Sequence, residues 1–67
     1  MKKFSGYKVK ELREARGLTQ MELSMALGYK SNCIADIEKD NAKPSVERLG
    51  MLSDILNVSI DEFYSIA

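Results

Sequence analysis

Histidine and tryptophan are absent from this chain, and it has a single cysteine and a single proline. Without histidine, the usual neutral-pH proton shuttle and the commonest zinc ligand are both missing. One cysteine excludes an internal disulfide and fits a reducing compartment. No glycine-rich phosphate loop and no metal-ligand spacing occurs, so catalysis has no support from residue types. No cofactor, metal or small-molecule ligand is expected. Excess charge is lacking too: ten Lys and Arg against ten Asp and Glu leave a formal net charge of +0, which argues against non-specific binding to polyanions while leaving room for one basic face. No run approaches the ~18 apolar residues of a membrane span. Met1-Lys2-Lys3 lacks the apolar core of a signal peptide, so a soluble, cytoplasmic protein is expected.

What is present is a globular composition, 45% hydrophobic over 67 residues, enough for one small domain whose stability depends on tight packing or on dimerisation. The pattern is organised around Thr19–Lys39. Thr19 and Glu22 form a T-x-x-E capping box, in which hydroxyl and carboxylate satisfy each other's free amides. Leu23, Ala26 and Leu27 follow as a short apolar stripe that ends at Gly28, a residue suited to a left-handed helix stop. The pattern restarts after Tyr29 and Lys30, with Ile34 and Ile37 inward and Asn32, Ala35, Asp36 and Lys39 outward. Two short helices, 19–27 and 31–39, joined by a glycine turn make a helix-turn-helix, whose second helix has the shape to enter the major groove of DNA.

On either side, Val9, Leu12 and Ala15 step at helical spacing toward Gly17, predicting a first helix over 7–16. Met1–Gly6 reads as a frayed polar lead-in. Ser45 caps a fourth helix whose buried stripe is Val46, Leu49, Leu52 and Leu56, ending at Asn57. Ser59-x-x-Glu62 reads as a second capping box opening a fifth helix, with Ile60, Phe63 and Ile66 inward or partly so. With no strand signal and no repeat, the expected fold is all-α: a compact five-helix domain covering residues 1–67.

The segments L-R-E-A-R-G-L-T-Q-M-E-L-S-M-A-L-G-Y (Leu12–Tyr29), I-A-D-I-E (Ile34–Glu38) and P-S-V-E-R-L (Pro44–Leu49), in this order and spacing, resemble the phage-repressor/Cro-type helix-turn-helix family of DNA-binding transcriptional regulators. The similarity runs from about Tyr7 to Phe63, nearly the whole chain. It implies a lambda-repressor-like fold and double-stranded DNA as the partner. It also implies that Arg13 and Glu38 form a partly buried ion pair tying the first helix to the recognition helix; two separately solvated charges are the alternative. At the position of Asp40 most relatives carry glycine, and aspartate is a slightly strained substitute there. Where Ser24 stands relatives usually carry alanine, and a small residue there lets the two helices approach.

For DNA contact, Gln20 lies at the start of its helix, where free amides suit a phosphate, and the resemblance assigns this position to bracing the recognition helix on the backbone. Asn32 can pair bidentately with adenine N6 and N7, Asp36 can accept from cytosine N4, and Ser31 can reach a base edge or a phosphate. By resemblance these three positions meet base edges; a merely solvated polar face is the alternative. Among Lys8, Lys10, Lys30, Lys39 and Lys43, with Asn41 as a donor, the strongest phosphate candidates are Lys30, Lys39, Asn41 and Lys43. Asp36 near phosphates needs a compensating amine, which Lys39 on the same face can supply. Cys33 reads as a small buried thiol rather than a redox sensor. Met51 and Ile55 lie off the buried stripe of the fourth helix; with Tyr64 and Ile66 they form a candidate homodimer interface, unless the fifth helix covers them. A dimer on a palindromic operator is the leading expectation. The rival is a helix-turn-helix module that has lost DNA affinity and docks another protein, a reading favoured by charge neutrality and Asp36.

Overall fold

The computed structural model describes residues 2–66. Its elements in order are strand β1 (Lys2–Phe4), helices α1 (Gly6–Ala15), α2 (Gln20–Ala26), α3 (Cys33–Glu38) and α4 (Val46–Leu56), a 3₁₀ turn (Ile60–Phe63) and strand β2 (Tyr64–Ile66). Four α-helices enclose one core of Val9, Leu23, Leu27, Ile34, Ile37, Leu49, Leu52, Leu56 and Phe63, closed at one end by Phe4.

The helix ends follow from residue type. Each α-helix stops in a paired-bond turn with one residue in the left-handed region: Gly17 (φ 71), Gly28 (φ 87), Asp40 (φ 62) and Asn57 (φ 56). In each turn the next residue's N–H reaches back five positions: Leu18 to Arg13 O (3.2 Å), Tyr29 to Ser24 O (3.0 Å), Asn41 to Asp36 O (2.9 Å) and Val58 to Ser53 O (3.0 Å). Glycine, aspartate and asparagine are the residue types that enter this region at low cost. The starts of α2 and α4 are capped as their residues dictate. Thr19 Oγ1 accepts from Glu22 N–H (3.1 Å) while Glu22 Oε1 accepts from Thr19 N–H (2.8 Å). Ser45 Oγ accepts from Arg48 N–H (3.2 Å). The Glu22 carboxyl is held below its ordinary pKa, first by the Thr19 backbone N–H and then by its hydroxyl.

The purely helical expectation fails at the two chain ends. Residues 2–4 are not a frayed lead-in but a strand, paired antiparallel with 64–66 in the register Lys2↔Ile66, Lys3↔Ser65 and Phe4↔Tyr64; Met1 lies outside the described residues. The expected fifth helix is a single 3₁₀ turn, and the second capping box does not form: Ser59 makes no side-chain cap bond. Phe63 explains both departures. It is fully buried, and once the turn has delivered it to the core the following chain extends to pair with β1. Ser5 N–H donates to Phe63 O (2.8 Å), continuing the ladder, and Phe4 meets Tyr64 edge to face at 5.9 Å. A two-stranded ribbon is marginal by itself; the buried phenylalanines hold this one. Ile60 and Ile66 are therefore exposed rather than inward, and Val46, expected in the buried stripe of α4, is 87% exposed. Val46 is the first residue of its helix, ahead of the turn that meets the core.

Two close contacts set the angle between α1 and α3. A Cβ built on Gly6 would lie 2.1 Å from the Ile37 carbonyl oxygen, so only glycine permits this approach. The Gly6 N–H donates to Asp40 Oδ1 at 2.8 Å. Ser5 makes no side-chain cap bond to α1, so the aspartate after α3 does the capping across 34 residues of chain. This gives the left-handed Asp40 a use glycine would not have.

Candidate nucleic-acid interface

The centre of the site is a hydrogen-bonded chain that crosses from α1 to the start of α3. Arg13 Nε donates to Glu38 Oε2 at 2.6 Å and Nη2 to Oε1 at 3.3 Å. Their side chains are only 9% and 4% exposed. Arg13 Nη1 also donates to Leu18 O (2.7 Å), so the guanidinium fastens the α1–α2 turn as well. Its pKa is raised chiefly by the hydrogen bond to Glu38, against the cost of desolvation. From Glu38 the chain continues outward. Gln20 Nε2 donates to Glu38 Oε1 (2.9 Å), and Asn32 Nδ2 donates to Gln20 Oε1 (3.3 Å). Ser24 Oγ, wholly buried, donates to Asn32 Oδ1 (3.4 Å) and accepts from Ile34 N–H (3.1 Å).

Ser24 is more than a small residue between two helices: its hydroxyl is the N-terminal anchor of α3, a role no spacing could signal. Asn32 likewise differs from expectation. The third helix begins at Cys33 rather than Ser31, and Asn32 is its cap residue, with φ −77 and ψ 67. Ser31 stands in the turn before it, exposed, with its Oγ 3.5 Å from Cys33 Sγ.

Around this centre lie the remaining candidates. Lys30, Asp36, Lys39, Asn41 and Lys43 are all exposed. Asp36 has no ion-pair partner within 4 Å among the described residues, so Lys39 is not paired with it. Asn41 and Lys43 border an open cleft of about 530 Å³ between the loop after α3 and β1, where Lys3 joins them. Lys3 was missed in the sequence because only strand pairing carries it there.

Arg48 fixes the helix-turn-helix turn from behind. Its Nε donates to Leu27 O (2.7 Å) and its guanidinium sits 4.3 Å from the Tyr29 ring centroid. The four residues offered as a dimer interface are divided between two elements. Met51 and Ile55 lie on α4, the first 37% exposed and the second packed against the core. On β2, Tyr64 packs against the core and Ile66 is 82% exposed.

Two short helices across a glycine turn, the second anchored at its start and locked to a preceding helix, define a helix-turn-helix protein. The helix-turn-helix family profile matches residues 9–63. The chain is 33% identical over 57 residues to the uncharacterized HTH-type transcriptional regulator YazB of Bacillus subtilis, covering 85% of this chain and 83% of that one. It is 36% identical over 56 residues to the HTH-type transcriptional regulator ImmR of the same organism, covering 84% and 44%. Against the HTH-type transcriptional regulator PuuR of Escherichia coli it is 30% identical over 60 residues, spanning 90% of this chain and 32% of PuuR. Among solved structures, the restriction-modification controller protein C.AhdI of Aeromonas hydrophila superposes with a TM-score of 0.77 at 26% identity, over 87% of this chain and 88% of that one. The chain belongs to the repressor/Cro-type helix-turn-helix family of transcriptional regulators. No helix among the described residues is long and apolar enough to cross a membrane.

Proposed function

We propose that this protein is a sequence-specific regulator of transcription that binds double-stranded DNA as a homodimer on a palindromic operator. The observation that carries the reading is the Gln20–Asn32 amide pair, bonded across the helix-turn-helix at 3.3 Å and backed by a buried ion pair. Polar side chains spend conformational entropy when ordered, and two amides held together at an exposed helix start suit a base edge and its neighbouring phosphate. In this reading Ser31, Asn32 and Asp36 meet base edges, while Gln20, Lys30, Lys39, Asn41 and Lys43 serve the phosphates. Selection from a random double-stranded DNA pool tests it. Enrichment of an inverted repeat with half-sites about 34–36 Å apart is expected, and a pool that stays random refutes it.

Dimerisation follows from scale. One six-residue recognition helix reads only a few base pairs, and a chain with net charge +0 gains little from non-specific attraction. The apolar side chains of Met51, Ile55, Tyr64 and Ile66 are the surface proposed to join two copies about a two-fold axis. Because Ile55 packs against the core, Met51→Glu is a gentler probe than Ile55→Glu. A folded monomer with much weaker operator binding is expected by sedimentation and titration. A wild-type chain that remains monomeric at micromolar concentration, alone and on DNA, ends the proposal. Asp36, exposed and unpaired among the described residues, favours a second reading, a domain that docks protein instead of DNA; the same pool separates the two.

A further inference from the structure

The chain from Glu38 to Ile34 has a direction, and only one of its members enforces it. A carboxylate accepts and never donates. Glu38 Oε1, at 2.9 Å from Gln20, therefore requires the Gln20 nitrogen to face it. The Gln20 oxygen must then face Asn32, which turns the Asn32 nitrogen toward Gln20 and its oxygen toward Ser24. The serine at the far end cannot impose this order. Its hydroxyl accepts from Ile34 N–H and retains a second lone pair as well as its proton, so it could serve either end of the Asn32 amide. Only the buried acid breaks the symmetry.

We propose that Glu38 is a positioning residue for sequence readout: it holds the Gln20 and Asn32 amides in one donor–acceptor orientation. With its side chain 4% exposed, Glu38 reaches no nucleic acid itself. In the enforced orientation Asn32 has used one N–H on Gln20 and one lone pair on Ser24. One N–H and one lone pair remain, the complement of the N7/N6 edge of adenine. Reversing the amide would exchange donor for acceptor at that edge. The second consequence rests on the DNA-binding reading; the first, the locked amides, does not.

Glu38→Gln is the test: it keeps shape, and Arg13 Nε, which can only donate, holds the new amide oxygen at the Oε2 position, so the amide nitrogen faces Gln20 and the Gln20 and Asn32 amides must reverse. Side-chain amide resonances of Gln20 and Asn32 in the free protein, measured by NMR, should give one set in the wild type. In the variant they should move to a different set, as both amides reverse. Against a pool of DNA sites, the variant's base preference at one position per half-site should flatten, by roughly tenfold. Leu52→Val, a core change on α4, which contributes no member to the chain of amides, should lower stability with neither effect. Should Glu38→Gln fail to fold because Arg13 loses its counter-charge, Arg13→Met combined with Glu38→Gln leaves no buried charge and carries the same readouts. Unchanged amide resonances in the folded variant overturn the lock whatever DNA does. Changed resonances with unchanged base preference overturn the link to readout. A wild type with no base preference refutes the DNA reading itself, and the NMR result then stands alone.

Discussion

Asp40 joins two opposing effects whose balance can be measured. It sits at φ 62, where an L-residue typically pays ~1–2 kcal/mol and aspartate somewhat less. Against this, its carboxylate accepts from Gly6 N–H at 2.8 Å, and loss of such a helix cap costs ~0.5–2 kcal/mol. Asp40→Gly relieves the backbone but loses the cap, and glycine's freedom in the unfolded chain costs a further ~0.4–1 kcal/mol. A net loss of about 1 kcal/mol is expected from these ranges. Asp40→Ala loses the cap and keeps a backbone penalty slightly larger than aspartate's, so about 1–2 kcal/mol should go. Asp40→Asn retains an oxygen and tolerates the left-handed region, so it should lose only the charge–dipole part, about 0.5 kcal/mol. Urea unfolding followed by circular dichroism gives the three values, with slopes equal to wild type if only stability has changed. If Asp40→Gly is as stable as wild type and Asp40→Asn is indistinguishable from it, the carboxylate is not capping α1 and the reasoning is refuted.

Gly6→Ala should destabilise by at least the ~1–3 kcal/mol typical of overpacking, because the added methyl meets the Ile37 backbone carbonyl at 2.1 Å rather than a movable side chain; a near-neutral result in urea would contradict the α1–α3 contact. Glu22 has a folded pKa below its ordinary value, so its contribution is present above the unfolded pKa and is lost as pH falls through the folded one. Glu22→Gln should accordingly flatten the acid limb of the stability–pH curve, and identical limbs would exclude the capping-box cause. On DNA, Lys43→Ala and Lys30→Ala should each weaken binding equally on all sequences and reduce the salt slope by about one unit. A loss confined to one operator would instead assign those lysines to base readout.

Most of the helical architecture is determined locally and was legible in the sequence. The stops at Gly17, Gly28 and Asn57 need only residues that tolerate positive φ, and the box at Thr19–Glu22 needs only neighbours three apart. Apolar spacing likewise identified the inward faces of α2 and α3 at Leu23, Leu27, Ile34 and Ile37, all buried, whereas Ala26, read into the same stripe, is exposed. Among the candidate site residues, what Asn32, Gln20 and the lysines could bond to was legible from side-chain type, because hydrogen-bonding capacity belongs to the residue itself. Tertiary structure decided what depends on distant partners. Lys2–Phe4 carries no strand pattern long enough to notice and becomes one only because Phe63 brings 64–66 alongside. Gly6 looked like part of a lead-in, yet the α3 carbonyls require it to be glycine. Asp40 looked like a strained stand-in and caps a helix 34 residues away. The orientation of Asn32 is set by an acid that never touches it. Local rules specify what a residue can do, whereas burial and long-range hydrogen bonds select which of those abilities the folded chain uses.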